Sequence, residues 1–130
     1  MSTEVEHLKL MAKEAARRAY APYSQFSVGA VIKTHDGTLI SGCNVENVSY
    51  GLSNCAERTA IFRAIAEGVD VKSVDTVVIY TPTKEIHSPC GACRQVMAEF
   101  LQGDTTFMSF SEQGMKQWTV SQLLPDGFSF

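Results

Sequence analysis

Residues 74–101 read VDTVVIYTPTKEIHSPCGACRQVMAEFL, and they contain both kinds of element from which the chain is built. Val74–Tyr80 is a nearly continuous apolar run, which is typical of a strand covered on both faces. After a polar loop, residues 91–101 carry apolar side chains at helical spacing. This order predicts that Cys90-Gly91-Ala92-Cys93 lies at the first turn of a helix that packs on a sheet.

Residues before and after this stretch predict a first helix and four more strands. Apolar residues at three- and four-residue steps predict an amphipathic first helix that ends before Pro22. Its stripe is Val5, Leu8, Met11, Ala12, Ala15, Ala16 and Ala19. Turn residues at 35–37 predict a hairpin of strands 26–33 and 38–45, and shorter strands follow at 105–110 and 116–120.

Two central helices complete the predicted set of elements. Residues 55–67 form one, and its inward face is Ala56, Ala60, Ile61, Ala64 and Ile65. Residues 91–101 form the other, with Ala92, Val96, Met97 and Phe100 inward. The order α, β, β, α, β, α, β, β predicts an α/β fold in which helices pack on a mixed sheet.

Length, charge and composition favour one domain and a small partner. With 130 residues and 45% hydrophobic content, the chain suits a single core, so we expect one domain over residues 1–130. A formal net charge of -3 argues against a nucleic-acid partner, since phosphate binding depends on Lys and Arg. The amino end does not resemble a secretory signal, and no window is apolar enough to cross a bilayer. We therefore expect a cytoplasmic protein without a membrane partner.

The four cysteines are the strongest chemical signal. In the cytoplasm thiols stay reduced, so metal binding or catalysis is the first explanation to test. Cys90-x-x-Cys93 alone fits a redox pair or half of a structural zinc site equally well. A third cysteine, Cys55, begins the other central helix, and Glu57 follows two residues later. Helix starts stabilise thiolates, and two of them can point at one ion, which favours zinc.

Arg58 and Arg94 immediately follow the two cysteine groups. Three thiolates on Zn²⁺ leave a net charge of -1, which weakens the metal as a Lewis acid unless hydrogen bonds withdraw electron density. We predict that both guanidinium groups donate to the cysteine sulfurs. The alternative is that both are solvated helix residues.

A catalytic zinc site keeps one coordination position for water, whereas a structural site uses four protein ligands. Cys43 would face the core if Asn44 and Glu46 face the pocket, because strand side chains alternate. His87 lies in a proline-flanked loop three residues before Cys90, and we interpret it as a loop histidine. The pattern therefore favours an open fourth position.

Together, Cys55-Ala56-Glu57 and Pro89-Cys90-Gly91-Ala92-Cys93 resemble the paired signature of the zinc nucleoside and nucleobase deaminases in its three-cysteine form. Nearly the whole chain is similar to small cytidine deaminases, through Phe26-Ser27-Val28-Gly29-Ala30, Asn44-Val45-Glu46-Asn47, residues 55–60 and Cys93-Arg94-Gln95 in the same order. Val48 stands where alanine is common, and residues 109–119 match little.

The resemblance implies a three-layer α/β/α fold whose mixed five-stranded sheet has helices on both faces. It also implies one Zn²⁺ per chain, held by Cys55, Cys90 and Cys93. The implied reaction is hydrolysis of cytidine and deoxycytidine to uridine and deoxyuridine with release of ammonia, a step of pyrimidine salvage. Water activated by zinc attacks C4 of the base, and Glu57 shuttles the proton.

The resemblance further assigns the substrate contacts. The backbone of Ala56 and the carbonyl of Ser88 contact the base, Phe26 packs on its ring, and Asn44 and Glu46 bind the ribose. Similar enzymes are homotetramers whose neighbouring subunits complete each pocket, and Tyr50 and Phe128 resemble those contributors. Phe128 belongs to an aromatic tail, Phe128-Ser129-Phe130, that is unusual in a soluble monomer.

Taken without the resemblance, several of these residues have plainer explanations. Asn-x-Glu at a strand end is typical of solvated turns, Phe26 suits a core position, and Glu57 is a favourable acid in a first helical turn. A zinc-stabilised binding module without activity, or a deaminase of another aminated heterocycle, would use the same cysteines. Substitution of Glu57 by Gln separates the enzyme from the binding module.

Overall fold

The computed structural model describes residues 2–128, which form one five-stranded sheet and its helices. The helices are α1 (Thr3–Ala16), α2 (Ala56–Ala66), α3 (Gly91–Phe100) and the short α4 (Val120–Leu123). The strands are β1 (Gly29–Thr34), β2 (Leu39–Cys43), β3 (Val74–Tyr80), β4 (Thr106–Phe110) and β5 (Met115–Thr119). All eight predicted elements are present, and α4 is an addition.

The sheet is mixed, as predicted, with the strand order β2-β1-β3-β4-β5. Strand β1 pairs antiparallel with both β2 and β3, β3 pairs parallel with β4, and β4 pairs antiparallel with β5. The parallel pair requires a crossover connection, which α3 provides. In the β1 register Gly29 lies beside both Cys43 and Tyr80, so β1 begins where β2 and β3 end.

Helices cover both faces of the sheet, which confirms the three-layer prediction. On one face, α1 packs Leu8, Ala12 and Ala16 against Val31 and Val78. On the other face, α2 and α3 pack on the alternate side chains of the same strands, among them Ala30, Ile32, Val77, Ile79 and Phe107. The two-residue period of a strand thus divides one sheet between two apolar clusters.

Two glycines allow α1 and α2 to lie directly on the sheet backbone. A Cβ at Gly29 of β1 would stand 1.8 Å from the carbonyl oxygen of Ala12 in α1. A Cβ at Gly42 of β2 would stand 2.5 Å from the backbone nitrogen of Ala60 in α2. Real Cβ atoms do not approach this closely, so only glycine fits at these contacts.

Several boundaries and faces differ from the prediction. Helix α1 ends at Ala16, well before Pro22, and β1 begins at Gly29 because side chains bond the backbone of residues 26–28. Ile65 is 42% exposed because it lies one residue past the buried stripe of α2. Ala92 is exposed, and Cys93 and Met97 form the buried face of α3. No helix within residues 2–128 has the length and apolar character that spanning a membrane requires.

Candidate active site

Three cysteine sulfurs meet where α2 and α3 begin. Cys55 is the N-cap of α2, Cys90 is the N-cap of α3, and Cys93 lies in the first turn of α3. The three Sγ atoms lie within 4.8 Å of one another, and those of Cys55 and Cys90 are 3.6 Å apart. Zn–S bonds of ~2.3 Å in a tetrahedron place sulfurs ~3.8 Å apart, so the cluster suits zinc. Neither N-cap sulfur makes a capping hydrogen bond to the backbone of its own helix.

The electrostatics of the cluster favour a bound cation. Hydrogen bonding from Cys93, and then from Arg58, lowers the pKa of Cys55 to about 5 against the cost of burial. The neighbouring Cys55 sulfur, together with burial, raises the pKa of Cys93. Metal binding requires thiolates, so a cation at this cluster would displace the remaining thiol protons. The donor set and its charge fit zinc, as the sequence predicts.

The two arginines that follow the cysteines behave differently. Arg58 donates from Nη2 to the Cys55 sulfur at 3.2 Å, as predicted. Arg94 instead donates from Nε to the Pro89 carbonyl oxygen at 2.8 Å and from Nη1 to the Leu123 carbonyl oxygen at 3.0 Å. Its side chain turns back toward the start of α3, where backbone carbonyls are its acceptors. The predicted contact with sulfur is found at Arg58, whereas Arg94 bonds the backbone beside Cys90.

No fourth protein ligand joins the three cysteines within residues 2–128. Cys43 is half-buried and lines a different cavity, together with Met11 and Arg18. His87 lines the same cavity as the cysteines, but its ring packs edge-on against Phe26, with the ring centroids 4.9 Å apart. The arrangement leaves one coordination position for a water molecule or substrate.

Glu57 lies beside the sulfur cluster in the first turn of α2. Its side chain is 4% exposed and lines the cavity. Burial, reinforced by the charge of Cys55, raises the pKa of Glu57 to about 7. A carboxyl with this pKa can accept and release a proton near neutral pH.

A cavity of about 450 Å³ opens above the cluster, at the sheet edge where β2 and β3 end. Its volume lies in the range of small-molecule sites. It brings together most of the predicted site residues: Phe26, Asn44, Glu46, Tyr50, Cys55, Ala56, Glu57, Arg58, Ser88 and Cys90. Cys93, which is buried, and Arg94 do not line it.

Asn44 and Glu46 both face the cavity, and both hold the segment that precedes β1. Asn44, which is 8% exposed, donates from Nδ2 to the Phe26 carbonyl and accepts the Val28 N–H at Oδ1, each at 2.8 Å. Glu46 accepts the backbone N–H groups of Tyr23 and Ser24 at 3.1 Å, and also the Ser24 hydroxyl. These bonds, with that of Ser24 leading, hold the pKa of Glu46 below its usual value.

The two residues predicted to complete a neighbouring pocket lie in different places. Tyr50 is 75% exposed, lines the cavity of its own chain and packs edge-on against Tyr23. Phe128 is 67% exposed and lies outside the wall of that cavity, and its carbonyl accepts a hydrogen bond from Gln95 at 3.2 Å. The last two residues of the aromatic tail, Ser129 and Phe130, fall outside the described residues.

Sequence reasoning missed five polar residues of the cavity wall: Ser24, Ser53, Asn54, Thr81 and His87. Asn54 directly precedes Cys55, and Thr81 directly follows β3, so proximity to a ligand or strand end was an available signal. His87, next to Ser88 and three residues before Cys90, carried the same signal, whereas Ser24 did not. Contacts with Glu46 and Phe26, which are distant in sequence, bring them to the site.

Comparison with known proteins agrees with this geometry. Residues 2–109 match the family described as the cytidine and deoxycytidylate deaminase zinc-binding region. The chain belongs to this family. A cytidine deaminase of Sporosarcina psychrophila is 44% identical over 127 residues, covering 97% of this chain and 92% of the relative. A cytidine deaminase of Halalkalibacterium halodurans is 49% identical over 117 residues, with 89% and 87% covered.

Solved structures of the family share the fold. The crystal structure of cytidine deaminase from Burkholderia pseudomallei superposes with a TM-score of 0.91 at 44% identity, covering 98% of this chain and all of that one. The Mycobacterium tuberculosis cytidine deaminase gives 0.81 at 33% identity, with 99% and 100% covered. The family catalyses hydrolytic deamination of cytidine and is zinc-dependent. The predicted family, fold, enzyme class and metal are therefore confirmed.

Proposed function

We propose that this chain hydrolyses the 4-amino group of cytidine and deoxycytidine, releasing ammonia and the corresponding uracil nucleoside. The observation that carries the proposal is the buried carboxyl of Glu57, with a pKa of about 7, beside the three-cysteine cluster. Cys55, Cys90 and Cys93 would hold the zinc. When bound, the metal lowers the pKa of a water molecule to ~7 and so supplies a nucleophile at neutral pH.

Glu57 moves the protons of the reaction. Its carboxylate accepts a proton from the attacking water and delivers it to ring N3 as the water oxygen bonds to C4. In the second half, Glu57 transfers the remaining proton to the 4-amino nitrogen, the C4–N bond breaks and ammonia leaves. One carboxyl serves both transfers because its pKa lies near the working pH.

The cavity wall positions the nucleoside. Phe26 provides an aromatic wall for the pyrimidine, and Ala56 and Ser88, whose backbone groups would contact the base, line the same space. A carboxylate offers about four acceptor sites. Three donors from Tyr23 and Ser24 occupy Glu46, which leaves capacity for a sugar hydroxyl. Asn44 supports the sugar side and, through its backbone bonds, Phe26.

A homotetramer is the proposed assembly, with pockets shared between subunits. The support is a run of exposed apolar side chains, Val48, Tyr50 and Leu52, of which Tyr50 lines the cavity. Surfaces of this kind mark interaction sites in soluble proteins. The metal ligand Cys90 is also exposed in the isolated chain, and a neighbouring subunit would cover it.

The proposed compartment is the cytoplasm, because three free thiols must stay reduced to bind metal. Residues 1–130 are proposed to act as one catalytic domain. The reason is that both apolar clusters use opposite faces of the same sheet.

The test is deamination by the zinc-loaded protein. Cytidine should lose its characteristic ultraviolet absorbance while an equal amount of ammonia appears. Glu57→Gln should lower kcat by ~10²-fold or more, the range of positioned acid–base catalysts, with zinc content and fold unchanged. Glu67→Gln, an exposed carboxyl at the other end of α2, is the matched control and should keep full activity. A folded wild-type protein with one zinc per chain and no turnover would refute the proposal.

A further inference from the structure

The side chain of Arg94 connects two parts of the chain that are distant in sequence. Its Nε donates to the carbonyl of Pro89, the residue before the ligand Cys90. Its Nη1 donates to the carbonyl of Leu123, the last residue of α4. The planar guanidinium group has donors that point in different directions, so one side chain can satisfy both carbonyls.

The carbonyl of Leu123 is one that helix geometry leaves without an intrahelical partner. Helix α4 itself is held by a capping box between Thr119 and Gln122, and Val120 and Leu123 are buried in the core. The next residue of α3, Gln95, donates to the carbonyl of Phe128. Two consecutive side chains of the metal-binding helix therefore bond the backbone of the C-terminal segment 120–128.

We propose that Arg94 is a positioning residue that braces the Pro89–Cys90 ligand loop against the C-terminal segment 120–128. Through this brace, retention of zinc and order of the segment are coupled. If the loop at Pro89 moves, Cys90 moves with it, and the acceptor at Leu123 loses its donor. Groups that orient metal ligands in this way typically change metal affinity by 10- to 100-fold when substituted.

The test uses the zinc-loaded protein with Arg94→Lys, which keeps the charge and removes the forked geometry. Two quantities are measured without substrate: the rate at which zinc passes to a coloured chelator, and amide hydrogen exchange in residues 120–128. Arg63→Lys is the matched control, because Arg63 also donates to a backbone carbonyl, that of Ser41 at 3.1 Å, away from the metal cluster.

If Arg94 braces the loop, Arg94→Lys should release zinc ~10-fold faster, and its amide hydrogens in residues 120–128 should exchange faster. Arg63→Lys should change neither rate. Gln95→Ala should speed exchange near Phe128 and leave zinc release unchanged, since Gln95 does not touch the ligand loop. Wild-type rates in Arg94→Lys, or equal changes in Arg63→Lys, would overturn the inference.

A second measurement stands if the Arg94 variant does not fold. Zinc is removed from the wild-type protein, and hydrogen exchange is compared with that of the loaded form. The coupling predicts faster exchange in residues 120–128, whereas the hairpin turn at residues 35–38 stays unchanged as an internal reference. Equal exchange of the C-terminal segment in both forms would contradict the brace. Both readouts are independent of turnover, so they test it separately from the proposed activity.

Discussion

The carboxyl of Glu57, the proposed proton shuttle, also bears on the stability of the metal-free chain. Burial raises its pKa from 4.5 to about 7. The folded chain then holds this proton more tightly than the unfolded chain does. The resulting stability is fully present below pH 4.5 and is lost as the pH rises through 7, a change of ~3 kcal/mol.

Glu57→Gln should therefore remove most of this pH dependence. In metal-free, reduced protein, the wild-type free energy of unfolding should fall by up to ~3 kcal/mol more than that of the variant between pH 4.5 and 8. Urea unfolding at several pH values measures the difference, with Glu67→Gln as the exposed-carboxyl control. Parallel profiles for wild type and Glu57→Gln would show that the carboxyl is not proton-linked to folding.

Ser24 connects the proposed sugar site to the proposed base site. Its hydroxyl donates to Glu46 and accepts the N–H of Phe26 at 3.0 Å. Removing the hydroxyl frees both groups, so the wall formed by Phe26 should become less well positioned.

We expect Ser24→Ala to raise KM for cytidine ~5-fold, equivalent to ~1 kcal/mol, with a smaller change in kcat. Ser24→Thr keeps the hydroxyl and should restore KM. Ser27→Ala, which lies in a separate surface cavity, is the control. A loss confined to kcat in steady-state kinetics would contradict a positioning role.

At the level of elements, contact between α1 and β1 depends on the missing side chain of Gly29. A Cβ there would overlap the backbone of Ala12, which cannot move without shifting the whole helix. Gly29→Ala should lower the free energy of unfolding by ~3 kcal/mol, at the upper end of overpacking costs. Chemical denaturation of Gly29→Ala and of Gly51→Ala, where a Cβ meets nothing within 4 Å, measures this. Similar stability of the two variants would mean that α1 adapts freely.

At the level of the whole molecule, two measurements test the proposed tetramer: the molecular mass in solution and the recovery of activity when two inactive variants are mixed. Light scattering should give four times the chain mass of 14.2 kDa. If Phe128 completes a neighbour's pocket, Phe128→Ala should lower kcat/KM by ~10-fold or more, because truncating a large aromatic anchor costs at least ~2 kcal/mol.

Subunit exchange tests the sharing of pockets directly. A mixture of Phe128→Ala and Glu57→Gln chains should regain activity after exchange, because some pockets then combine an intact Glu57 with a neighbour's Phe128. The mixture measured before exchange is the control. A monomeric mass, or no recovery after demonstrated exchange, would contradict shared pockets.

Local patterns in the sequence determined the element types and the cysteine cluster suited to a metal ion. Val74–Tyr80 was predicted with its observed bounds, because an apolar run of this length between turn signals suits a buried strand. Cys55, Cys90 and Cys93 were predicted to share one ion because helix starts stabilise thiolates wherever the helices lie, and their sulfurs do cluster. Strand type and thiolate stabilisation at a helix start both depend on residues that are close in sequence.

Tertiary structure alone decided which distant groups meet. Arg58 and Arg94 each follow a helix-start cysteine by one turn, yet one bonds sulfur and the other bonds Pro89 and Leu123, which is distant in sequence. Asn44 and Glu46 could be predicted to share a face, but not to hold the backbone of residues 23–28. Strand order and helix approach set these distances, and the spacing of residues along the chain does not encode them.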